Sequence, residues 1–206
     1  MFGYYSPVTV NAAQVPSAQT NFPMLVSYTD ARLKTVGNGG HVQNANGYDI
    51  RPYDAVGGSA MTFELERYNA STGEVIMWVL VPSCHVGSIV YLYYGDATIS
   101  TNGSSTSTWD SNYKRVLHLP DGTTLSANDS TSNAANGTVT GSAAAAGKID
   151  GGVLMNSSTT DYITFTDTPL TSAQAFSISW WEKVTADTNN FPSRLCIPMN
   201  GSSDRL

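Results

Sequence analysis

The sequence predicts an all-β protein built from two successive sets of strands. Three observations carry this. Short runs rich in β-branched and aromatic residues succeed one another along the chain, each of strand length. Clusters of Gly, Asn, Ser and Pro punctuate them. Charged residues make up only 13% of the 206-residue chain, about half of what an average soluble protein carries. The polar surface must therefore come from Ser, Thr, Asn, Gly and Tyr.

In the first half the runs are "SPVTVNA", "NFPMLVSYT", "NGYDIRPYD", "AMTFELERYN", "GEVIMWVLVPS" and "SIVYLYYGD". The turns between the later ones are "VGNGG", "AVGGS", "NASTG" and "PSCHVG". Alternation in "TFELERY" puts Phe63 and Leu65 on one face and Glu64 and Glu66 on the other, as in a half-exposed strand. "EVIMWVLV" is apolar on both faces and must be covered on both, with Met77 and Trp78 in the core. The first domain is placed at 1–96. Residues 97–112, rich in Ser, Thr, Asn and Gly and poor in aliphatics, are expected to form a linker or a long surface loop. A second set of runs, "KRVLHLP", "NGTVTG", "GGVLMN", "DYITFTD" and "AFSISWWEKV", fills 113–206. "SAAAAG" at 142–147 is expected to be a loop with a helical turn. The six Asn-X-Ser/Thr triplets are taken as a by-product of turn chemistry.

Charge and cysteine usage exclude several functions. The net charge is −6, with ten Lys and Arg and no basic run, so nothing neutralises a phosphate backbone and nucleic acid is not an expected partner. An anionic membrane surface is disfavoured for the same reason, and no run approaches the ~20 apolar residues that span a bilayer. Cys84 and Cys196 lie far apart and are expected to be free, small apolar residues. No zinc-ligand spacing occurs. "MFGYYSPVTV" lacks the basic and apolar regions of a signal peptide, which points either to a start after such a peptide or to exit inside a virus particle.

"FPMLVSYTDARL", "VQNANGYDIRPYD", "FELERYN", "GEVIMWVLVP" and "IVYLYYGD" resemble, in order and spacing, a β-sandwich domain of unknown function found in prokaryotic secreted and phage-associated proteins. "WDSNYKRVLHLPD", "DSTSNAANGT", "AGKIDGGVLMN", "DYITF" and "AFSISWWEKV" resemble the opening strands of a laminin G-like domain of the concanavalin A-like lectin/glucanase group. Together the resemblances imply a jelly-roll-like β-sandwich followed by a second, incomplete laminin G-like β-sandwich, whose remaining strands lie beyond Leu206, come from another chain or are absent from a shortened fold. An open jelly roll exposes strand edges and an apolar face, so association with a partner is expected.

Catalysis is not expected. A glycosidase of that group needs two acidic residues delivered from one strand face. Only Glu64/Glu66 have that spacing, without the wider acidic pattern of the group, and Glu182 stands alone. His41, His85 and His118 lie near no nucleophile elbow. Calcium is the one cofactor left open: the laminin G-like resemblance implies it, and Asp129 and Asp161 head oxygen-rich loops, although Asx-turn roles suit both. Carbohydrate recognition is likewise implied by that resemblance, with Trp109 and Trp181 as candidate sugar-stacking residues. Trp180 and Trp181 must point to opposite faces, so one of them is expected in the core.

"GYDIRPYD" sets Asp49 and Asp54 around Arg51. In a strand Asp49, Arg51 and Tyr53 share a face, and Asp54 does not. A hairpin to "TFELERY" would bring Arg51 to Glu64 and Glu66 as a structural ion pair. Two functions remain open: a non-catalytic extracellular or surface adhesion and carbohydrate-binding protein, or a phage virion or filament structural protein. Expected partners are a glycan or host-surface protein, and a homo-oligomer or second chain. The expected location is extracellular, on a cell surface or on a virion.

Overall fold

The computed structural model describes residues 1–11, 15–120, 124–155, 160–166 and 175–183. The protein is all-β and falls into two compact units, Met1–Asn112 and Tyr113–Leu206.

The first unit is a sandwich of two antiparallel three-stranded sheets. Its strands are β1 (Tyr4–Thr9), β2 (Gln19–Thr29), β3 (Arg51–Tyr53), β4 (Phe63–Asn69), β5 (Glu74–Cys84) and β6 (Ile89–Tyr94). One sheet has the order β1-β6-β3 and the other β2-β5-β4. All six expected runs are strands, and period-2 alternation decides what each buries. From β5, Val75, Met77, Val79 and Val81 enter the core; β6 supplies Val90, Leu92 and Tyr94, and β2 supplies Val26. Phe63 from β4 joins them, with Leu65 packed against it. Cys84, a free thiol, is buried there too, and burial raises its pKa. Cys196 lies outside the described residues.

Sheet assignment overturns the expected ion pair. β3 pairs with β6 and β4 with β5, so Arg51 and the two glutamates belong to different sheets and form no hairpin ladder. Arg51 instead donates from Nη2 to the Thr101 carbonyl at 2.9 Å and lays its guanidinium 5.2 Å from the centre of the Phe63 ring. Burial lowers its pKa, against the pull of Asp49. Glu64 and Glu66 each accept from an indole N–H, of Trp109 at 2.7 Å and of Trp78 at 2.6 Å.

Residues 101–109 fall in the stretch expected to be a linker or a long surface loop. They belong to the first unit and run as a strap beside β4. Leu65 N–H donates to Ser104 Oγ at 2.8 Å, and Ser105 N–H donates to the Phe63 carbonyl at 2.9 Å. A single 3-10 turn at Thr106–Thr108 then sets Trp109 against Trp78, with ring centres 5.1 Å apart. β4 is the edge strand of its sheet, and an open edge is a template for unwanted pairing. The strap occupies that edge. Gly103 leaves room for the Arg51 guanidinium, which a side chain there would displace.

In the second unit β7 (Thr138–Thr140) pairs with β10 (Tyr162–Thr164), and β8 (Ala143–Ala146) pairs with β9 (Gly151–Leu154). The alanine block is thus a strand and not a helical turn. Helix propensity gives way because Ala143–Ala146 form a hairpin ladder with 151–154, closed by a Gly147 N–H to Asp150 carbonyl bond of 2.9 Å. "KRVLHLP" contributes one isolated bridge, Leu117 to Asp129, and residues 175–183 take part in no strand. Among the described residues no helix is long and apolar enough to cross a membrane.

Candidate functional site

In "IVYLYY" every second residue faces the core. Val90, Leu92 and Tyr94 are buried, which turns Tyr91 and Tyr93 outward on β6, the central strand of its sheet. Register supplies their neighbours. Tyr5 of β1 lies opposite Tyr93 and Pro7 opposite Tyr91, while on the other side Arg51 lies opposite Tyr93 and Tyr53 opposite Tyr91. The outer face of this sheet therefore carries four tyrosines side by side, with Pro7 and Arg51 in the same two rows.

The rings are contiguous. Tyr5 and Tyr93 have centres 5.4 Å apart, Tyr93 and Tyr53 4.7 Å, and Tyr5 and Tyr91 5.8 Å. Phe2 packs on Tyr53 at 5.9 Å and on Tyr93 at 5.7 Å. The contacts are tilted or edge-to-face, the arrangements aromatic pairs prefer. Tyr5 is 44% exposed and the other four rings are half-exposed. Loop 54–59 forms a wall along the β3 side. Gly57 N–H donates to Tyr93 Oη at 2.9 Å, and Ser59 N–H donates to Asp54 Oδ1 at 2.7 Å.

The scaffold under this face comes from the segment 47–54. Gly47 sits at φ +72, and a side chain there would strike the Tyr68 ring. Asp49 is fully buried and accepts three backbone N–H bonds, from Gln43, Asn44 and Gly95, at 2.9–3.0 Å. It ties the loop before β3 to the end of β6. Ile50 fills the core and Tyr53 joins the aromatic face.

None of the residues expected to bind ligand lies on this face. Trp109 is 5% exposed and belongs to the strap. Trp181 is 71% exposed and Trp180 58%, so neither is in the core, and Lys148 Nζ lies 6.0 Å from the centre of the Trp181 ring. Asp129 is buried and accepts at Oδ1 from the N–H groups of Val116 and Thr131, and at Oδ2 from Thr131 Oγ1 and Ala135 N–H. Its lone pairs are spent on its own loop. Burial pushes that carboxyl up, but these bonds outweigh it and hold it below the usual range. Asp161 accepts from Thr160 Oγ1 at 2.9 Å. Among the described residues no three His, Cys, Asp or Glu side chains gather as metal ligands would.

Residues 46–130 match the model of a family described as a domain of unknown function (DUF2341). That stretch holds β3 to β6, the strap, and three of the five rings: Tyr53, Tyr91 and Tyr93. No curated protein and no solved structure matches the chain.

The "YLYY" run and its alternation carried a signal for Tyr91 and Tyr93. Their union with Tyr5, Tyr53 and Phe2 depends on strand pairing, which neighbouring residues do not encode.

Proposed function

We propose that the protein is a non-catalytic carbohydrate-binding or adhesion module that works outside the cell or on a virion surface, with the aromatic face of β1-β6-β3 as its glycan site. The observation that supports this is the contiguous set Phe2, Tyr5, Tyr53, Tyr91 and Tyr93 on a solvent-facing sheet. Sugar rings have apolar C–H faces that pack on aromatic rings, and tyrosine adds a hydroxyl at the ring's edge. A lipid-like or purely apolar ligand would suit aliphatic residues better. The non-catalytic reading is supported by Glu64 and Glu66, each held by an indole N–H beside a strap and away from this face.

Screening the whole chain on a glycan array, followed by titration of the hits, tests the proposal. The double variant Tyr53→Ala/Tyr91→Ala should lose at least about tenfold in affinity, whereas Trp181→Ala should retain it. Unchanged binding in the double variant would remove the aromatic face from the proposal.

A second reading, a virion or filament subunit, is favoured by the second unit. Phe176, Ile178 and Trp180 alternate along residues 175–183 and are all exposed, as are Leu154, Met155 and Tyr162. Apolar side chains exposed in such number among the described residues suit burial against another chain. Light scattering of the wild type and of Phe176→Ser/Ile178→Ser would show a discrete oligomer lost in the variant. A monomer in both would end this second reading.

A further inference from the structure

We infer that the aromatic face takes an internal stretch of a neutral, linear polysaccharide; this rests on the carbohydrate reading above and narrows it to one ligand class. Breadth is the first argument. Ring-centre steps of 5.4 Å from Tyr5 to Tyr93 and 4.7 Å from Tyr93 to Tyr53 carry aromatic surface across all three strands. A single sugar stacked on one ring would leave the others bare, whereas a chain covers them in succession. Shape is the second. The platform is the face of an antiparallel sheet, continuing along the strands from the Tyr5–Tyr93 row to the Pro7–Tyr91–Tyr53 row. Loop 54–59 walls it along β3, a flank that aligns a chain. A site for a chain end needs walls on several sides.

Charge is the third argument. Arg51 is the charged side chain in these two rows, and its guanidinium turns to the Thr101 carbonyl and the Phe63 ring. Asp54, at the rim, holds Ser59 N–H. An acidic sugar would lose hydration here without gaining a cation, and the chain's net charge of −6 repels polyanions. Neutral hydroxyls, by contrast, are matched. Among the described residues no hydrogen bond engages the hydroxyls of Tyr5, Tyr53 and Tyr91, which leaves three donor-acceptor groups at the ring edges.

Calorimetric titration of the full chain with cello-, xylo- and manno-oligosaccharides of increasing length, and with alginate and hyaluronan, provides the test. Affinity for at least one neutral series should rise about tenfold with length and then level off, with little change on adding salt. Tyr91→Ala should flatten that rise. Equal affinity from the monosaccharide upward, or tighter and salt-sensitive binding to the acidic polymers, would overturn the inference while leaving the carbohydrate reading intact. Failure of every glycan to bind would remove both. If Tyr53→Ala/Tyr91→Ala then abolished self-association seen in the wild type, the face would be a contact between protein copies.

Discussion

Arg51 and Asp49 sit two residues apart and do different work. The Arg51 side chain joins one sheet to the strap over the other, through the Thr101 carbonyl and the Phe63 ring. Arg51→Ala should cost roughly 1 kcal/mol, the net worth of one hydrogen bond to a charged donor with some packing, measured by urea denaturation. A double-mutant cycle with Glu64→Gln should show no coupling, because that carboxylate holds Trp109. Asp49→Ala strands three backbone donors beside a fully buried site and should cost about 3 kcal/mol or more. Charge spacing in "GYDIRPYD" suggested an ion pair. What it could not reveal is that the two acceptors of that pair stand on the other sheet, each facing a tryptophan.

At the scale of elements, the strap is the part least like its composition. Ser, Thr, Asn and Gly over 97–112 have the makings of a solvated loop, yet these small residues leave room for the Arg51 guanidinium at Gly103 and supply a hydroxyl acceptor at Ser104. Its anchor is one tryptophan. Trp109→Ala should destabilise the first unit by about 3 kcal/mol and should speed hydrogen exchange at Leu65 N–H, whose partner is Ser104 Oγ. Exchange rates equal to wild type would mean the strap holds without that anchor. The strands of the first unit were legible because each alternates or is apolar throughout. Ala143–Ala146 was not, since four alanines carry no period and only the partner 151–154 decides the conformation.

For the molecule as a whole, the two units differ in what holds them. The first has a continuous core fed by both sheets. In the second, Asp129 gathers residues 116, 131 and 135 with four hydrogen bonds to its carboxylate. Its folded pKa lies below the ordinary carboxylate value. The stability it adds is therefore fully present above the unfolded value of about 3.9 and is lost as pH falls through the lowered one. Protection of the Val116, Thr131 and Ala135 amides, taken relative to the intrinsic exchange rate at each pH, should fall below about pH 4, and Asp129→Asn should show that loss already at neutral pH.

Taken alone, the sequence determined the fold class, the six strands of the first unit, the inward residues Phe63 and Leu65 of β4, and the absence of any basic stripe for nucleic acid. These follow from period, composition and charge, which are local or summed properties of the chain. Tertiary structure decided which strands share a sheet, that 101–109 closes the edge of β4, and that five rings distant in sequence form one surface. Pairing across long separations is set by the burial of whole faces, and no short stretch of residues contains that information.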